Sequence, residues 1–177
     1  MKISKKGLSL VETVVVVAII AALAGISIPI YGKFRNKAEV IACQENLREI
    51  GGGLEFYLQD HNSRMPEIDI ALQQNLEDAP EDAPTLRNVL TPYVGSEDCF
   101  MCPADKMVHP VTGCSYAWNS LINDQHRARL DFLGNKNDLK SIPVVFDIEA
   151  FHGDKDGTNF LYADYSSGTE VSFQTTP

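Results

Sequence analysis

Three thiols and an imidazole stand close together in the middle of this chain, as Cys99-x2-Cys102-x6-His109-x4-Cys114. Thiolate and imidazole donors at such spacing suit tetrahedral zinc. The same three cysteines, joined by Cys43, also allow three complete disulfide pairings. A second group, in "DIEAFHGDKDGTN", offers hard oxygens from Asp154, Asp156 and Asn159 around a glycine-containing turn, with Asp147, Glu149 and Asp164 as further donors. Calcium prefers such oxygens. The spacing is not that of an EF-hand loop, which repeats its acids and closes on a glutamate, so a calcium site and a solvated acidic turn both stand. The four histidines, His61, His109, His126 and His152, are scattered beside polar stretches, and the chain carries no Gly-x-Ser-x-Gly, His-Glu-x-x-His or phosphate-binding glycine loop. Nothing here points to an enzyme.

The third chemical group is a single carboxylate in the wrong solvent. Glu12 lies near the start of an otherwise uncharged apolar run from Leu8 to Ile30. As a helix that run extends roughly 35 Å, enough for the ~30 Å hydrocarbon layer of a membrane. A secretory signal peptide would have an apolar region of only about 7–15 residues. Lys2, Lys5 and Lys6 precede the run, which places the N-terminus on the cytoplasmic side and everything after residue 30 on the other. A carboxylate within lipid needs a cation. Lys5 is about two helical turns away, whereas a new α-amine at Leu8, made by cutting after Gly7, would lie one turn from Glu12 or beside the Glu12 of an adjacent copy.

Lys6-Gly7 followed by Leu8-Ser9-Leu10-Val11-Glu12 and an apolar helix resembles the N-terminal signature of type IV pilins and type II secretion pseudopilins. The resemblance implies a leader peptide of residues 1–7, cleavage after Gly7 by a prepilin peptidase, methylation of the new N-terminus at Leu8, and a Glu12 that neutralises a neighbouring subunit's amine during assembly. Leu8 stands where phenylalanine is commoner in that family, and Pro29 falls where the family often has a helix-breaking proline. "CQENLREIGGGLEFYLQDHNSRMP", "LTPYVGSEDCFMCPADK", "CSYAWN" and "HGDKDGTNFLYADYSSG" further resemble a group of bacterial pilin-like proteins marked by His, nine residues, then Asp-Gly. Here eleven residues separate His152 from Asp164, and Tyr165 replaces the glycine.

The implied protein is a structural subunit of a type IV pilus or a type II secretion-like pseudopilus. It would be single-pass in the bacterial inner membrane, with its head exported to the periplasm or cell surface and with a filament formed after assembly. Its implied partners are copies of itself, other pilins or pseudopilins, the prepilin peptidase, the inner-membrane assembly machinery and the membrane. Some major pseudopilins use calcium in their C-terminal loops. The alternative is a membrane-anchored exported binding protein, for a glycan or a metal, that does not polymerise.

The positioning elements follow from pattern. Residues 8–30 form the transmembrane half of a helix that continues through residues 31–60. There Val40, Cys43, Leu47, Ile50, Leu54 and Tyr57 recur at spacings of three and four while charged residues fill the other faces. Gly51, Gly52 and Gly53 interrupt the stripe at up to about 1 kcal/mol each relative to alanine, which predicts close approach of a strand layer or a flexible point. Residues 60–84 are polar, acidic and proline-containing, a surface connection. Thr85 is placed to cap a short helix that Pro92 stops. "CSYAWN", "SIPVVFDI", "TNFLYADY" and "TEVSF" read as strands, the last two joined at "SSG" as a hairpin. Tyr116 and Trp118 are expected in the core.

A long N-terminal helix against a small antiparallel sheet is an α+β fold, with a globular head over residues 61–177. Residues 31–177 carry 12 Lys and Arg against 23 Asp and Glu, a net charge of −11, so direct binding of nucleic acid is not expected. On the exported side disulfides persist. Cys43, on the apolar stripe, is placed to staple the helix to the cysteine-rich loop, with its partner among Cys99, Cys102 and Cys114 open.

Overall fold

The computed structural model describes residues 10–69, 80, 82–136, 138–153 and 157–169. The chain is α+β and divides into two units, Met1–Lys37 and Ala38–Pro177. A helix, α1, covers Leu10–Asp60.

In the first unit the helix is apolar and uncovered. Val14, Ile20, Leu23 and Ile28 are all exposed, and the helix is long and apolar enough to cross a membrane. The helix runs unbroken past position 29, in keeping with the expected continuation through residues 31–60. An interior proline removes one backbone hydrogen bond, and the turns on either side retain theirs.

In the second unit the same helix has one buried face. Cys43, Leu47, Ile50, Leu54 and Leu58 are buried, and Tyr57 packs partly buried against them. Full burial of a leucine or isoleucine contributes about 1.5–3 kcal/mol, so Leu47, Ile50 and Leu54 together outweigh the glycine interruption. Two of the three glycines are close approaches. A Cβ on Gly51 would sit 3.2 Å from Leu161 and Tyr165, and one on Gly53 would sit 2.7 Å from Val94, whereas Gly52 faces open space. The strand layer accounts for Gly51 and a turn for Gly53.

Six strands in two sheets follow among the described residues. They are β1 (Tyr116–Trp118), β2 (Asp131–Phe132), β3 (Asn135–Lys136), β4 (Pro143–Asp147), β5 (Phe160–Tyr162) and β6 (Ser167–Gly168). The main sheet has the order β1-β4-β5-β6 and is antiparallel throughout, with a register shift between Pro143 and Val145. β2 and β3 form a separate hairpin, absent from the sequence reading. Trp118 and Tyr116 are fully buried, as expected, and Trp118 donates Nε1–H to Asn123.

The short helix Leu86–Leu90 begins where Thr85 accepts the N–H of Asn88. Pro92 lies within a following 3-10 turn, Thr91–Tyr93. Two expectations are corrected. The connection after α1 is not all surface, since Met65, Ile68 and Ala83 belong to the core. The final turn is also displaced. Tyr162 accepts the N–H of Tyr165 and donates its own N–H to the carbonyl of Ser166, so the chain reverses over residues 162–166 and Ser167–Gly168 are strand. Most of "TEVSF" lies outside the described residues.

Candidate functional site

The N-terminal signature is described only in part. Gly7 and Leu8 lie outside the described residues, while Glu12 is exposed in the first turn of α1. A negative charge there complements the positive end of the helix dipole.

The cysteines converge on the buried face of the second unit. Cys43 of α1 is bridged to Cys102, which follows a 3-10 turn at Glu97–Phe100, with the two Cα atoms 5.2 Å apart. The staple between helix and cysteine-rich loop is therefore present. Ser115 accepts the N–H of Cys102 and passes its own hydroxyl hydrogen to Asp105 at 2.7 Å. Asp105 also accepts the N–H groups of Met107, Val108 and His109. Burial works to raise this carboxyl, but the bonds from Ser115 and the three backbone donors outweigh it and hold it below the ordinary carboxylate range.

Cys99 and Cys114 are buried free thiols. Burial pushes each up to about 12, so neither is a thiolate at neutral pH, and Cys114 donates to the carbonyl of Tyr116. With Cys102 committed to Cys43, the Cys99-Cys102-His109-Cys114 set is not assembled as a zinc site.

A histidine that sequence spacing left aside completes the cluster. His152 places Nε2 3.4 Å from Cys102 Sγ, and its side chain is 1% exposed. Behind it Asp147, fully buried, holds Oδ2 3.8 Å from the same nitrogen. Asp147 Oδ2 accepts both the backbone N–H and the side-chain Nδ2–H of Asn159, at 2.8 and 2.9 Å. Burial, partly offset by those bonds, pushes Asp147 up to about 6. Tyr116 closes the other side, its hydroxyl 3.5 Å from Cys43 Sγ.

The oxygen-rich loop is less available than its composition suggests. Asn159 is fully buried, its Oδ1 accepting from Gln44 at 3.2 Å while its other groups serve Asp147. Of the further acids, Asp164 accepts from Ser166 and Glu149 is exposed. Asp154 and Asp156 lie outside the described residues.

The remaining histidines have local roles. His61 stacks on Tyr57 at 3.8 Å, and His126 caps the turn Arg127–Arg129 through the N–H of Ala128. Comparison of the chain with protein-family models, with curated proteins and with solved structures finds no match.

Proposed function

We propose that this chain is a pilin-like structural subunit, processed by a prepilin peptidase and assembled into a type IV pilus or a type II secretion-like pseudopilus through its N-terminal helix. The observation that carries the reading is the pairing of an uncovered apolar helix with one acid, Glu12, in its first turn, preceded by Lys5-Lys6-Gly7. An apolar helix alone would serve as an anchor. The acid demands a cation in lipid, and the freed amine of Leu8 on a neighbouring copy supplies it.

The Cys43–Cys102 bridge supports an exported head, since disulfides persist outside the reducing cytosol. In this reading residues 1–7 are removed, the N-terminal half of α1 holds the subunit in the bacterial inner membrane, and the head passes to the periplasm or cell surface.

The test is made on native cells. Mature protein should begin at Leu8 with the mass of an N-methylated chain, and sheared surface filaments should contain it. Glu12→Ala should still be inserted and cleaved but should enter filaments of wild-type copies poorly. A chain that retains Met1 in peptidase-competent cells, or equal incorporation of Glu12→Ala, overturns the assembly role and favours a tethered binding protein.

A further inference from the structure

One side-chain cluster in the head is chemically overprovided for a disulfide. The Sγ atoms of Cys43 and Cys102 and a ring nitrogen of His152 lie within 4.8 Å of one another. Asp147 stands outside that 4.8 Å set but reaches its histidine, with Oδ2 3.8 Å from His152 Nε2. Its Oδ1 is buried and accepts no hydrogen bond from any described residue. A buried carboxylate oxygen left unsatisfied is costly, and a disulfide offers it neither a proton nor a charge. A cation held by this carboxylate would offset the charge that its burial leaves uncompensated.

The donors are two sulfurs, an imidazole nitrogen and a carboxylate, the types that zinc takes. Zinc bonds of about 2.0–2.3 Å in a tetrahedron put neighbouring donors about 3.3–3.8 Å apart. The separations of 3.4 Å from His152 to Cys102 and 3.8 Å from His152 to Asp147 match that scale. The groups around the ligands also fit, because Tyr116 directs its hydroxyl at Cys43 Sγ and Asn159 fixes the carboxylate of Asp147. Such second contacts orient ligands and tune a metal.

We propose that, when the Cys43–Cys102 bond is open, Cys43, Cys102, His152 and Asp147 bind one zinc ion, so that helix and head are stapled either by sulfur–sulfur bonding or by metal. The two states exclude each other. A dithiol reductant opens the bridge: its two sulfurs become a disulfide, two electrons pass to Cys43 and Cys102, and two protons complete their thiols. Zinc then displaces those two protons to solvent and takes both thiolates. This differs from the Cys99-Cys102-His109-Cys114 set that spacing suggested. It shares only Cys102 with that set and recruits a histidine from fifty residues further along. It holds whether or not the chain assembles into filaments.

The experiment uses the full chain in detergent micelles, reduced with a dithiol, freed of reductant without oxygen, and titrated with cobalt(II) and then zinc(II). Expected is one cobalt per chain with the visible bands of a tetrahedral site and thiolate charge transfer, displaced by zinc. The oxidised protein should show neither. Zinc should protect Cys43 and Cys102 from alkylation, and His152→Ala should weaken binding at least about tenfold. Asp147→Asn, which keeps an oxygen for Asn159, should also weaken it. A reduced, folded chain without the tetrahedral spectrum overturns the proposal, as do protection of Cys99 and Cys114 instead or unchanged affinity in His152→Ala. If reduction unfolds the head, zinc must restore its near-ultraviolet circular dichroism, because binding a folded site draws the chain to it. Failure to restore that signal also overturns the site.

Discussion

Tyr165 donates its hydroxyl hydrogen to Glu55, joining the turn before β6 to a helix residue 110 positions earlier. Arg127 pairs with the same carboxylate oxygen and lies 4.6 Å over the Tyr165 ring. Tyr165 also has a φ of 68°, a left-handed conformation that costs a side-chain-bearing residue roughly 1–2 kcal/mol. The expected order of stability is therefore unusual. Tyr165→Phe should lose about 1 kcal/mol for the hydroxyl. Tyr165→Gly should be more stable than Tyr165→Ala by about 1 kcal/mol. Urea denaturation of the three variants checks the order, and alanine equal to glycine would show that the turn relaxes.

Acid should weaken the same contact. The Tyr165 hydrogen bond, opposed by burial and aided by Arg127, holds Glu55 below its ordinary value of 4.5. A carboxyl depressed on folding adds stability that is fully present above its unfolded pKa and is lost as pH falls through the lower folded value. Wild type should thus lose more stability than Tyr165→Phe on acidification below about 4.5. Denaturant midpoints at neutral and acid pH measure the difference, and parallel losses would remove Glu55 from the account.

Adjacent glycines of α1 should respond in opposite directions. Gly52→Ala meets nothing within 4 Å and should gain about 0.8–1 kcal/mol of helix propensity. Gly53→Ala would drive its Cβ to 2.7 Å from Val94 and 3.3 Å from the Tyr93 carbonyl. Valine is stiff about χ1, so this variant should be destabilised by about 1–3 kcal/mol. Thermal melts of the two variants decide it, and stabilisation of both would mean that the Tyr93–Val94 turn yields.

The disulfide should be the largest single contributor tested here. Its partners are 59 residues apart, and chain-entropy reasoning gives a closed loop of that size about 4 kcal/mol. Non-reducing peptide mapping should recover Cys43 joined to Cys102, with Cys99 and Cys114 alkylatable after unfolding. Cys43→Ala with Cys102→Ala should cost about 2–5 kcal/mol. A Cys99–Cys114 bridge in the same map would contradict the two free thiols.

Legibility followed periodicity and failed where contact is non-local. Cys43, Leu47, Ile50 and Leu54 were readable as one helix face from their spacing, and Thr85 as a cap from its position before an apolar run. The β2–β3 hairpin was not readable, because its turn uses Leu133 and Gly134 at φ 52° and 86° and lacks the Asn-Gly or Asp-Gly signal. Met65 and Ile68 were hidden among polar neighbours. His152 was not assigned to the cysteines because fifty residues separate it from Cys102, and the same-loop His109 matched zinc spacing better. Pairing across such distances depends on the chain around β5 folding back on the helix, which no local pattern encodes.

The order in which the chain is made has a consequence for how the head folds. The buried face of α1 beyond Ala38 is synthesised early, yet Gly51 packs on Leu161, Gln44 bonds Asn159 and Glu55 bonds Tyr165, all near the end. Contacts of such sequence separation must close large loops before they are rewarded, which slows folding. Until β5 emerges, the part of this face around Gly51 that Leu161 and Tyr165 cover stays open, the kind of surface that draws unfinished chains together. Nascent head is therefore the species most in need of a holding factor, and an arrest of translation just before residue 159 should maximise its capture by one.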